Sequence, residues 1–134
     1  MSENTRQAFK DIQTAAYDLL GGEISVPIYD RVPKDPPANY VTFGDMAAAP
    51  FEARDVAGRA VTFIFNIWTR DEAGKFKTYE IMDEILAIMN AGKLQMENFA
   101  EVQKTVGPTM VERLDEEPGS WQGVLPFLFL VAEK

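Results

Sequence analysis

The run from Arg59 to Arg70 constrains the fold more than any other part of this chain. Val61, Phe63, Phe65 and Ile67 share one face of an extended strand, and Ala60, Thr62, Ile64, Asn66 and Trp68 share the other. Aromatic and β-branched residues at every second position are what a pleated, packed strand needs. Large apolar residues on both faces require either a central place in a sheet or a partner covering the second side. The remaining segments must therefore supply neighbours for this strand.

They fall into a simple order. A helix is expected from Thr5 to Leu20, with Phe9, Ile12, Ala16, Leu19 and Leu20 on one side, Asn4 as N-cap and Gly21-Gly22 as the stop. Val26–Tyr29 is a short extended piece, and the prolines at 33, 36 and 37 make the next stretch a stiff loop. Tyr40–Gly44 reads as a strand. Residues 47–58, small and without period, read as a long mobile connection to the Arg59–Arg70 strand. A second helix is expected from Lys75 to Met89, with a stripe of Tyr79, Met82, Leu86 and Met89 widened by Ile81, Ile85 and Ile88 and a stop at Asn90-Ala91-Gly92. Then come a weak segment at Leu94–Met96 and strands at Glu101–Val106, Pro108–Leu114 and Trp121–Val131, the last two paired across Glu116-Glu117-Pro118-Gly119-Ser120. The order α-β-β-β-α-β-β-β, without βαβ repetition, predicts an α+β fold: a mostly antiparallel sheet with two helices packed on it. At 134 residues this is a small single domain spanning 1–134.

Composition excludes several chemistries. With no cysteine and no histidine, the chain has no disulfide, no thiol nucleophile, no Cys/His zinc site and no histidine base. No apolar run is long enough for a membrane span, and Met1–Arg6 lacks the basic start and apolar core of a signal peptide. The net charge of −8 is spread along the chain, with 9 acids and 6 bases in residues 1–67 and 12 and 7 in residues 68–134. A grip on nucleic-acid phosphates needs clustered basic residues, which are absent here.

Other motifs read more simply as structure. Glu80, Asp83 and Glu84 could hold a hard cation but read as a solvated helix face, and Asp115-Glu116-Glu117 as a solvated turn. Trp68 and Trp121 read as core or interface packing, and Pro33-Lys34-Asp35-Pro36 as a connector. No catalytic constellation, cofactor motif or metal site emerges. What remains is a surplus of apolar surface: the two-faced strand, the broad second helix, and the unbroken apolar run Val124–Val131. On a soluble acidic chain, that surplus predicts a subunit interface.

Several strings, in this order and spacing, resemble the tail-completion or tail-terminator proteins of long-tailed bacteriophages, prophages and gene transfer agents. They are Pro27–Pro33, Pro37–Gly44, the strand ending Phe65-Asn66-Ile67-Trp68-Thr69-Arg70, the helix Phe76–Met89, and Gln122–Phe127. The resemblance covers nearly the whole chain. It implies a non-enzymatic virion protein, made in the host bacterial cytoplasm, that caps the head-proximal end of the tail tube, usually as a hexameric ring. The implied partners are other copies of itself, the major tail tube protein and the head-tail connector or stopper. Genome DNA passes through the lumen without specific binding, and no cofactor or membrane is involved. A ring of six copies at −8 each carries −48, which would favour sliding of DNA over adhesion. Phe51 and Arg54 in the 47–58 segment, and Trp68 and Arg70 at the end of the long strand, are the expected contact residues. Two other readings compete: a small-ligand-binding or enzymatic α+β domain with a helix-covered pocket, and a neighbouring neck or connector protein of the same particle.

Overall fold

A computed structural model describes residues 8–53, 56–71, 74–114 and 119–134, with backbone alone for residues 51–53 and 56. The elements follow the expected order: α1 (Phe9–Leu20), β1 (Ile28–Tyr29), β2 (Tyr40–Ala53), β3 (Val56–Arg70), α2 (Phe76–Ala91), β4 (Phe99–Val106), β5 (Met110–Arg113) and β6 (Ser120–Glu133). The fold is α+β. One six-stranded sheet runs β1-β2-β3-β6-β4, with β5 also beside β6, and every pairing is antiparallel except β1 with β2.

The two-faced strand is central. β3 lies between β2 and β6, in unbroken register with β6 from Gly58↔Ala132 to Arg70↔Ser120. Its Val61, Phe63, Phe65 and Ile67 are fully buried beside Leu125, Phe127, Phe129 and Val131 of β6. Phe63 and Phe65 meet edge to face with centroids 4.8 Å apart, Phe65 and Phe127 are tilted at 5.4 Å, and Phe127 stacks on Phe129 at 5.7 Å. Both helices cover this face, contributing Ile12, Ala16 and Leu20 from α1 and Ile81, Ile85 and Met89 from α2. Among the described residues, no helix lies on the opposite face. There Ala60, Ile64, Asn66 and Trp68 are half-buried and Thr62 is exposed.

The expectation of a long mobile connection at 47–58 is wrong. β2 continues to Ala53 and β3 begins at Val56, with the register held from Met46↔Phe63 to Ala53↔Val56. The alternation is hidden in the sequence because the register shifts between Phe43 and Met46, placing both on the core side three residues apart. The alanines that follow carry little side-chain signal, but the main-chain ladder does not depend on side chains.

The second helix faces the core differently from its expected stripe. Thr78, Ile81, Met82, Ile85 and Met89 are buried, Leu86 and Ile88 are half-buried, and Tyr79 is exposed. Its end also differs in mechanism, because Gly92 is extended (φ −135°) rather than left-handed. The Lys104 ammonium of β4 instead donates to the carbonyl oxygens of Met89 and Gly92, supplying the missing C-terminal donors. The weak segment at 94–96 forms only a single bridge, Gln95 to Ala100. The expected start of the first helix, including the Asn4 cap, lies outside the described residues.

Candidate functional site

Three acidic side chains, Glu84, Asp11 and Glu101, hold elements together. Glu84 accepts from the Ser25 amide at 2.6 Å and the Ser25 hydroxyl at 2.8 Å, tying α2 to the segment after α1. Asp11 accepts from the Asn98 amide at 3.0 Å, tying α1 to the start of β4. Glu101 accepts from the Leu94 amide at 3.1 Å and pairs with Lys104 at 3.5 Å, with side chains only 5% and 9% exposed. The described residues contain no cluster of acidic side chains able to hold a metal ion. The Asp115-Glu116-Glu117 turn lies outside the described residues.

Of the expected contact residues, Phe51 lies beside the start of β3, paired with Gly58, and Trp68 and Arg70 lie at its other end. The ten residue steps from Gly58 to Trp68 place these ends roughly 33 Å apart along an extended strand. The Phe51 side chain and the whole of Arg54 lie outside the described residues. Trp68 is half-buried: its indole N–H donates to the Thr42 hydroxyl at 2.9 Å, and its ring stacks on Tyr40 with centroids 6.5 Å apart. Tyr40 in turn meets Tyr29 at 5.8 Å, so three aromatic rings line one end of the sheet. Arg70 is exposed, and its amide donates to the Asn39 side-chain oxygen at 3.1 Å. Trp68 and Arg70 share a cleft of about 250 Å³ with Pro36, Pro37, Tyr40 and Trp121. The Trp121 indole N–H is buried in this region without a hydrogen-bond partner among the described residues.

Sequence reasoning missed other exposed apolar groups. A surface groove of about 460 Å³ runs between α1 and the β1–β2 edge, with Phe9, Tyr17 and Phe43 among its walls and Lys10, Asp18 and Asp30 among its polar lining. Phe9, assigned to the buried side of the first helix, is 36% exposed. On the other side of the sheet, Val102, Val106 and Met110 are exposed. Their signal lay in the sequence as apolar residues on short, weakly alternating strands.

A search of curated protein sequences found no match. The model of the family described as Tail completion protein gp17 matches residues 12–132. The chain belongs to this family. The match takes in every element from α1 to β6 and thus the whole described sheet. A solved chain from the "Virion of native gene transfer agent (GTA) particle" has the same fold, with a TM-score of 0.76 at 21% identity. The alignment covers 96% of this chain and 99% of that one, so the two share their fold over nearly their full lengths.

Proposed function

We propose that the chain is a structural protein of a phage or gene-transfer-agent tail, acting by assembly rather than catalysis. It caps the head-proximal end of the tail tube as a ring, most simply a hexamer, and offers the filled head a docking surface. Family membership across residues 12–132 is the observation that carries this reading. The fold shared with a chain of a gene transfer agent virion is consistent with it. The use of Glu84, Asp11 and Glu101 as fasteners between elements also fits an assembly part better than an enzyme. In this reading the β2–β3 tip, with Phe51 and Arg54, and the cleft holding Trp68 and Arg70 are contact sites at two ends of the subunit. The ring's neighbours are the tube protein on one side and the connector on the other.

Deleting the gene in the parent strain and imaging the induced lysate tests the role. Filled heads beside unattached, often overlong tails are expected; normally joined particles would overturn the reading. Complementation with a Phe51→Ala, Arg54→Ala double variant then tests the tip. Loss of joining with the protein still folded is expected, and normal joining removes those two residues from the interface. Trp68→Ala tests the other end by the same readout.

A further inference from the structure

Among the described residues, the sheet ends in two edges that are only partly paired. On one side, β1 covers only Val41 and Thr42 of β2, and no described main-chain bond reaches the outer side of β2 beyond them. On the other side, β4 has β6 on its inner side and a single bridge at Ala100 on its outer side, leaving Glu101–Val106 open. An open row of main-chain donors and acceptors is a template for another strand, and monomeric proteins blunt it with exposed charge, proline or a cover.

The β4 edge is irregular at Val102, where its register with β6 shifts, but has neither exposed charge nor proline. Its exposed side chains from 100 to 106 are Ala100, Val102, Gln103, Thr105 and Val106, none of them charged. Its two charged residues, Glu101 and Lys104, are turned under the sheet onto each other and onto the end of α2. Lysine, the usual guard of a sheet edge, is here withdrawn from it. The β2 edge has a matching neutral stretch, Met46-Ala47-Ala48-Ala49, between Asp45 and Pro50. In a chain of net charge −8, copies repel one another, so a contact between copies is cheapest where both surfaces carry no charge. The small alanines also leave room for a second strand to approach.

We propose that the outer edge of β4, Val102–Val106, pairs with the neutral outer edge of β2, Met46–Ala49, of a second copy of this chain. The sheet then continues from subunit to subunit. Because the two edges differ, the contact is heterologous and repeats head to tail, as a closed ring requires. Val102 and Val106 of the neighbour then approach the groove beside the β2 edge, where Phe9, Tyr17 and Phe43 offer apolar contact amid a polar lining. The inference rests on the ring reading for the identity of the partner.

The absence of cysteine makes the test direct. One variant carries a single cysteine at Ala47 or Ala49, the other at Gln103 or Thr105; all four positions are exposed and lie on the helix-free face. The two variants are expressed together in place of the natural chain in particle-producing cells, and both soluble protein and purified tails are treated with a short bis-maleimide. In at least one of the four combinations, mixed dimers should exceed same-variant dimers by about tenfold, as a heterologous contact demands. Same-variant dimers in equal amount, or no crosslink, overturn the edge pairing. A ring at the tail end without mixed dimers overturns the pairing and leaves the ring. Mixed dimers in soluble protein with none of the protein on tails overturn the cap and leave the pairing. A Val102→Lys variant should keep its melting temperature and lose the mixed dimer; retention of the dimer counts against the edge.

Discussion

At the residue scale, Lys104 links a strand to the end of a helix. It sits on β4, yet its ammonium closes the C-terminus of α2 and pairs with a carboxylate that also holds the Leu94 amide. Replacing Lys104 with methionine keeps the stem's apolar contacts but leaves the Glu101 carboxylate buried without its partner. Removing one member of a buried pair costs about 3 kcal/mol, so the urea midpoint should fall sharply in Lys104→Met. A Glu101→Gln, Lys104→Met double variant should recover part of that loss, because the stranded charge is gone. Equal midpoints for wild type and Lys104→Met would show that the pair contributes nothing. Gly123 poses a different constraint: a Cβ there would lie 2.9 Å from Thr78 Cγ2 and 3.2 Å from the Met82 terminal methyl. Gly123→Ala should destabilise by about 1–3 kcal/mol through overpacking. Adding Thr78→Ser, which removes the crowded methyl, should return some of it in a thermal melt.

At the element scale, what was legible in the sequence divides by how each element is stabilised. β3 was readable because side-chain packing stabilises it, and packing leaves a period-2 imprint from Val61 to Ile67. The outer half of β2 was not readable, because a register shift breaks the period and alanines replace the pattern with near silence. α2 was placed within two residues at each end, but its inward face was misjudged at Tyr79. A helix apolar around most of its circumference does not say which side meets the sheet; Gly123, which brings Thr78 and Met82 close to β6, decides it. The lysine that ends α2 could not be foreseen, since Met89 and Lys104 meet only once the sheet has formed. Of the expected contact residues, Trp68 and Arg70 do share a cleft, as their spacing of two on one strand allows, whereas the neutral β4 edge was invisible until Lys104 was seen to fold beneath it.

At the scale of the whole molecule, the charge distribution bears directly on how a tail protein meets DNA. The chain carries 21 acidic and 13 basic residues, and of the basic ones Lys104 is turned under the sheet while Arg59 pairs with Glu133 at 3.5 Å. Affinity for duplex DNA arises mainly from cations that neutralise phosphates and release counterions, so it is greatest at low salt. A surface with an excess of eight negative charges opposes that release, and joining copies into a ring multiplies the repulsion. Purified protein at about 50 mM salt, a condition that favours non-specific DNA binding, should therefore leave a duplex unshifted in an electrophoretic assay. It should do so whether monomeric or assembled. A salt-sensitive complex under those conditions would require a basic surface formed only in the assembly, and would overturn the picture of a passage through which DNA slides.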